Sequence, residues 1–363
     1  MKALLLGDLC PTQQTTPFFE KMDTETLFTD TLKLFEGNDI NFVNLECAIT
    51  NSQTPIKKFG PNLAAHPNTA KVLKKIGVNC VGLSNNHFFD FGIKGSEDSM
   101  KFLDEVGIAY TGFGKDYNDS RENMIVEKNG EKICIIAVCE HEYSYALEDR
   151  MGSRPFDEYD TLEDIRNAKG ENDRVIVLYH GGKEHCRYPS PRLYKVCRAM
   201  VRSGADVVLC QHTHCIGCYE EYNGGHILYG QGNFHFVKYY DNLPEGWKSL
   251  LAVKYDTITN KIEFIPIVNT DTGITLAKGE EKETILQNFA KRNQELQNGE
   301  WKNGWHTFCE SVKNIYFNVI KNACNEDSSQ KDNDVIGHYL DCEAHNDVWR
   351  ELFPTYNQTN EKN

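Results

Sequence analysis

Short hydrophobic runs alternate with amphipathic stretches from residue 1 to about residue 235. Runs rich in Val, Ile and Leu and bounded by turn residues read as strands buried on both faces. Lys2–Leu6, Ile40–Leu45, Asn79–Leu83, Arg174–Tyr179 and Ala205–Cys210 are of this kind. Between them the spacing predicts helices. One is capped near Asp23 or Thr24 and runs through Leu27, Leu34 and Phe35; a short one runs from Pro67-Asn68-Thr69 to Gly77. Others cover Lys94–Val106 and Ser190–Arg202, the latter with Leu193, Val196, Cys197 and Met200 on one face. Asn129-Gly130, between Asn123–Glu127 and Lys132–Cys139, is a hairpin signal. Further on, Tyr219–Tyr222 and His226–Tyr229 flank Asn223-Gly224-Gly225, and Leu250–Asp256 and Lys261–Val268 flank Thr259-Asn260. This order predicts α/β layers with a hairpin-rich second sheet. From about Lys282 to Glu351 the chain is polar and helical. No internal repeat of solenoid period is visible.

The chain has 363 residues, 40% of them hydrophobic, enough for one large core or two smaller ones. No stretch approaches the roughly 18 apolar residues of a membrane span. The opening run reaches Asp8 too soon for a secretion signal, so the expected compartment is the cytoplasm. A formal net charge of −14 argues against nucleic acid as a partner. The 13 cysteines are scattered, and Cys134, Cys139 and Cys210 fall inside strands, which reads as reduced, buried thiols. Cys215-Ile216-Gly217-Cys218 lacks a second Cys pair at zinc-site spacing and reads first as packing.

The hydrophobic runs share an ending. Leu4-Leu5-Leu6-Gly7 leads to Asp8, Asn44-Leu45 to Glu46, and Ser84-Asn85 to Asn86 and His87. Val177-Leu178-Tyr179 leads to His180, and Leu209-Cys210-Gln211 to His212-Thr213-His214. Ligands of α/β sheets bind at the carboxyl ends of strands. Each donor alone has an ordinary explanation: a loop cap, a turn amide, a structural histidine. Five strand ends carrying oxygen and nitrogen donors together point to a metal centre. Imidazole with carboxylate and amide oxygen suits Mn²⁺, Fe²⁺ or Zn²⁺ better than Ca²⁺. The donors exceed the four of one tetrahedral zinc, and two ions about 3.5–4 Å apart would use them all.

The ordered set Gly7-Asp8, Asn44-Leu45-Glu46, Ser84-Asn85-Asn86-His87 with Asp90 and Gly92, His180-Gly181-Gly182-Lys183-Glu184, Gly204-Ala205-Asp206 leading to His212-Thr213-His214, and Gly230-Gln231-Gly232-Asn233-Phe234 resembles a known family. It is that of the CapA-type capsule-synthesis (poly-γ-glutamate) proteins, a branch of the calcineurin-like metallophosphoesterases. The likeness covers roughly residues 1–270. It implies a layered αββα sandwich of two mixed sheets flanked by helices. The expected organisation is a domain over 1–280, a helical extension over 281–356 and a disordered tail over 357–363.

The resemblance also implies roles. Glu46 stands at the position of the bridging carboxylate. Asp8 and His214 would hold one ion, and Asn86, His180 and His212 the other. His87 stands where relatives place a proton donor to the leaving group, and Asp90 would orient it or else cap a helix. One departure is Asp8-Leu9-Cys10 in place of Asp-x-His. Cys10 is either a soft ligand or a packed bystander. Gly181 stands where many relatives carry Trp, which would open the pocket wall. His185, Arg187 and Arg192 would bind an anionic substrate, or else belong to a solvated loop.

The implied function is hydrolysis by water held on two divalent ions, attacking a phosphoester or a γ-glutamyl amide of a small anionic or polymeric substrate. The other reading is a non-catalytic polymer-binding or assembly protein that keeps the fold. Substrate choice is expected in the loops Ser52–Pro67, Glu140–Asp157 and Lys238–Trp247. The helical stretch, with Trp301, Trp305 and Trp349, is expected to pack on the core, to cover the pocket or to form an oligomer contact.

Overall fold

The computed structural model describes residues 1–237 and 245–354. The tail over 357–363 and most of the Lys238–Trp247 loop lie outside the described residues. In chain order the strands of the first half are β1 (Lys2–Leu9), β2 (Ile40–Leu45), β3 (Cys80–Gly82), β4 (Ala109–Thr111), β5 (Met124–Lys128), β6 (Glu131–Cys139) and β7 (Arg174–His180). They are followed by β8 (Val207–Gln211), β9 (Tyr219–Tyr222), β10 (Gly225–Leu228), β11 (Asn233–His235), β12 (Ser249–Asp256), β13 (Lys261–Asn269) and β14 (Ile274–Leu276). One sheet has the order β14-β13-β12-β1-β2-β3-β4, with β11 also paired to β1. The other has the order β9-β10-β8-β7-β6-β5. The hairpins therefore do not build a second sheet of their own. They extend the edges of both sheets, whose centres are parallel.

Alternation along the strands explains the layering. Ala3 and Leu5 of β1 join Ile133, Ile135, Ile176, Leu178 and Leu209 in the cluster between the sheets. Leu4 and Leu6 point the other way, against Phe19, Leu27, Leu73 and Leu103 of the outer helices. On the second sheet Cys134, Ile136 and Val138 face Ile165 and Met200 of the helices Glu158–Glu171 and Pro191–Ser203. A side chain of this size contributes about 1.5–3 kcal/mol when fully buried. These faces fix the register of both sheets, because a one-residue slip would expose every one of them. The result is helix, sheet, sheet, helix.

Local signals work as expected at several ends. Gly77 and Gly107 stop their helices in the left-handed conformation. The Ser190 hydroxyl accepts from Leu193 N–H and starts the next. The helix expected from Asp23 to Phe35 is shorter. It ends at Phe28, and Thr29, at φ +42°, turns the chain into a 3-10 helix.

Four helices, Gly279–Asn298, Trp301–Ala323, Gln330–Asp341 and Glu343–Leu352, complete the described chain. They pack on the core: Leu296 and Trp301 join the outer cluster of the second sheet, and the Trp301 ring stacks on Tyr194 at 4.9 Å. Among the described residues no helix is long and apolar enough to cross a membrane.

Candidate metal centre

The parallel strands of both sheets end on one edge, and there the two sheets are tied together. The Gln211 amide donates to Leu6 O at 3.2 Å, and that of Gln231 to Leu5 O at 2.8 Å. The approach is closest at Gly7, where an added Cβ would lie 2.0 Å from Gly232 O. Glycine at that position lets β1 and β11 meet and sets Asp8 at the join.

Asp8 is fully buried. Its Oδ1 accepts from Asn44 Nδ2 at 2.7 Å and its Oδ2 from His212 N–H at 2.9 Å. Burial, with the nearby Glu46 carboxylate, pushes its pKa up to about 7. Glu46, just past β2, is fully buried too, and neither of its carboxylate oxygens has a hydrogen-bond partner. Burial pushes its pKa well above the ordinary carboxylate range, with Glu184 and Glu142 adding to the effect. A buried charge in this state costs several kcal/mol unless a cation meets it.

The histidines face these acids. His180 Nε2 lies 3.4 Å from Glu46 Oε1 and 2.9 Å from Asn86 Oδ1, and its Nδ1 faces Asn44 Nδ2 at 3.1 Å. His214 Nδ1 lies 3.7 Å from Asp8 Oδ2 and 2.7 Å from Asn233 Oδ1. His212 Nδ1 is buried without a partner. Burial lowers the pKa values of His180 and His212 to about 4 and that of His214 to about 3. The imidazoles are thus neutral at pH 7, the form that binds metals. His212 and His214 hold φ angles of +79° and +55°, rare for residues with a Cβ and costing of order 1–3 kcal/mol each. Donor atoms of Glu46, His180 and His212 lie within 4.8 Å of one another, and so do those of Asp8, Glu46 and His214. Glu46 is common to both groups.

His87 stands beside them. Its Nδ1 lies 2.7 Å from Asp90 Oδ2, which also accepts from Leu63 N–H at 2.7 Å. Asp90 is not a helix cap: the helix Gly92–Val106 has Phe91 at its N-cap position. The Lys58 ammonium pairs with Asp90 Oδ1 and lies 3.1 Å from His87 Nδ1.

Other expected residues fall elsewhere. Cys10 is absent from both donor groups. Its thiol faces Pro11 O at 3.5 Å within the helix-side core, and burial raises its pKa well above the ordinary value, so it is a packed neighbour. Arg192 does not reach the cleft as a free cation. Its guanidinium is held by Glu140 and, at 2.9 Å, by Asp347. Arg187 is exposed and lines a different cleft from the donors. His185 lines the metal-side cleft, where its Nδ1 accepts from Trp247 Nε1–H at 3.1 Å. Gly181 opens no wall, because a Cβ there would meet the Glu140 side chain at 2.5 Å.

Sequence reading missed Lys58 and Glu142, which come from long loops and carry no periodic signal. Glu142 Oε1 lies 3.8 Å from His212 Nε2. The cleft over the centre measures about 280 Å³, and His338, Tyr339 and His345 of the last two helices form part of its wall. The last of them is docked through Asp347, which accepts from the Ser190 hydroxyl at 2.6 Å, and through Glu343, which accepts from His141 N–H at 2.6 Å.

Residues 2–238 match the family described as "Bacterial capsule synthesis protein PGA_cap". The "Capsule biosynthesis protein CapA" of Bacillus anthracis is 27% identical over 278 residues, 73% of this chain and 66% of that protein. The "PGA biosynthesis protein CapA" of Bacillus subtilis (strain 168) is 26% identical over 305 residues, 80% of this chain and 78% of that protein. Among solved structures, a hypothetical protein from Thermus thermophilus superposes with a TM-score of 0.45 at 14% identity, over 77% of this chain and 100% of the other. A 5'-nucleotidase from Candida albicans does so with a TM-score of 0.43 at 10% identity, over 81% and 58%. At these values the structural likeness decides nothing about the site.

Proposed function

The chain belongs to the bacterial capsule synthesis protein family, and from that premise we propose that it is a metal-dependent hydrolase acting on a phosphoester. One observation carries the proposal: the fully buried Glu46 carboxylate, without hydrogen-bond donors, shared by two converging groups of donors. The mix of carboxylate, amide and imidazole suits Mn²⁺, Fe²⁺ or Zn²⁺. Asp8 and His214 would hold one ion, Asn86, His180 and His212 a second, and Glu46 both. Such ions would acidify a water and neutralise charge on a phosphoryl group.

The protein's own part is to orient and to move a proton. Asn44 fixes Asp8 and faces the His180 ring, so the two sheets present their donors in one arrangement. Asp90 engages Nδ1 of His87 and leaves Nε2 to protonate the leaving group. Lys58, paired with Asp90, holds the Ser52–Pro67 loop against that histidine. The last two helices wall the cleft and limit the size of what enters.

His87→Ala should lower turnover about 10²–10⁴-fold with metal content unchanged. Full activity in that variant would remove the assigned role. A screen across phosphomonoesters, phosphodiesters and γ-glutamyl peptides should find phosphoester cleavage. Cleavage of γ-glutamyl peptides alone would overturn the phosphoester reading.

A further inference from the structure

Buried guanidinium groups ordinarily sit against carboxylates. Arg154 and Arg192 do so here, against Asp164 and against Glu140 with Asp347. Arg292 does not. It lies on the helix Gly279–Asn298, is only 8% exposed, and its Nε donates to Gly217 O at 3.1 Å. Among the described residues no acidic group forms an ion pair with it or with Arg187. Both arginines line a cleft of about 460 Å³ whose apolar wall includes Ile216, Val268 and Ile285. Burial and the like charge of Arg187 both push the Arg292 pKa down. Among the described residues, two neighbouring cations, one of them buried, thus have no ion-pair partner.

We propose that this cleft binds a small oxyanion, a carboxylate or phosphate group, between Arg187 and Arg292. The planar guanidinium fork suits either group. Thr284 and Asn288 on the wall offer further hydrogen bonds to a bound oxyanion. Glu280 and Glu281 also line the cleft, but both are exposed in the first turn of their helix, where solvent and salt screen them. The site is separate from the metal centre, since neither arginine lines the cleft over Glu46. The two clefts are nonetheless neighbours along the chain. Ile216 of one follows two residues after His214 of the other, and Gly246 precedes Trp247, whose ring lies 4.3 Å from that of His214.

The test uses the full chain, stripped of metal by a chelator and dialysed. It is titrated calorimetrically with inorganic phosphate and, separately, with succinate. Saturable binding of either probe is expected, phosphate alone marking a phosphate site and succinate alone a carboxylate site. Arg187→Ala should weaken it at least about tenfold, the scale of one lost charge-assisted contact. Arg292→Lys should do the same by removing the fork; should it fail to fold, the exposed Arg187 decides. Lys183→Ala, a change in the metal-side cleft, should leave the affinity unaltered. No saturable binding of either probe, unchanged affinity in Arg187→Ala, or loss in Lys183→Ala would overturn the proposal.

Discussion

Glu46 and Glu140 are two buried glutamates in opposite electrostatic states. Glu140 accepts from the Tyr179 hydroxyl at 2.6 Å, from Gly182 N–H at 2.8 Å and from Arg192. Burial pushes its pKa up, but Arg192 and these donors outweigh it and hold the carboxyl below its ordinary value. Glu46 has no donor, and burial holds it well above. Both lie just past strands that end on the same edge, one beyond β2 and the other beyond β6. A satisfied cluster is what a fold builds to hold itself together. An unsatisfied one lowers stability, and its persistence in a packed core is explained by something it binds. On the function proposed above, the difference reflects structure at Glu140 and metal binding at Glu46.

The sharpest way to break this contrast is to remove a cation from the satisfied side. Arg192→Ala leaves Glu140 and Asp347 buried without their partner and should cost about 3–5 kcal/mol in urea unfolding. A near-neutral result would mean that the two clusters do not differ.

A second test reads pH. The folded pKa of Asp8, about 7, lies above the 3.8 expected when unfolded. Between these values the folded metal-free protein binds more protons, so the Asp8 contribution to stability is present at low pH and lost as pH rises towards 7. In metal-free protein, unfolding at a series of pH values should shift in favour of Asp8→Asn relative to wild type over that window. A flat difference would show that Asp8 is not held protonated.

Smaller effects sharpen the same point. Glu46→Gln replaces a buried acid without donors, whose ionisation burial opposes, by a neutral amide and should raise metal-free stability by about 1 kcal/mol, whereas Glu140→Gln should lower it. Equal signs in the two thermal unfolding curves would contradict the assignment. Cys10→Ser should change stability by less than about 1–2 kcal/mol and leave metal content as it was. Loss of metal on that change would return Cys10 to the ligand set.

Much of this was readable from residue order. Hydrophobic runs announce buried strands, and the residues just past each run in an α/β sheet fall at the ligand edge, so Asp8, Glu46, Asn86, His180 and His212 could be named in advance. Groups placed by tertiary packing could not. Lys58 and Glu142 sit in irregular loops and reach the centre only once the sheets are joined. Arg187 and Arg192 are near neighbours in sequence, yet the turn before Pro191 sends one to an outer cleft and the other into the Glu140 cluster. The helix Glu158–Glu171 escaped notice because it buries only Thr161, Ile165 and Ala168, too faint an apolar stripe to stand out. Hairpins were legible from Asn-Gly turns, but not the sheet each would join, which depends on the free edge it meets.

The central claim is that Glu46 is held unsatisfied for metal, and elemental analysis of protein purified with Mn, Fe and Zn supplementation tests it most directly. Wild type should retain close to two equivalents of metal per chain, and Glu46→Ala fewer than one, because both donor groups share that carboxylate. No metal retained by wild type, or two equivalents retained by Glu46→Ala, would contradict it.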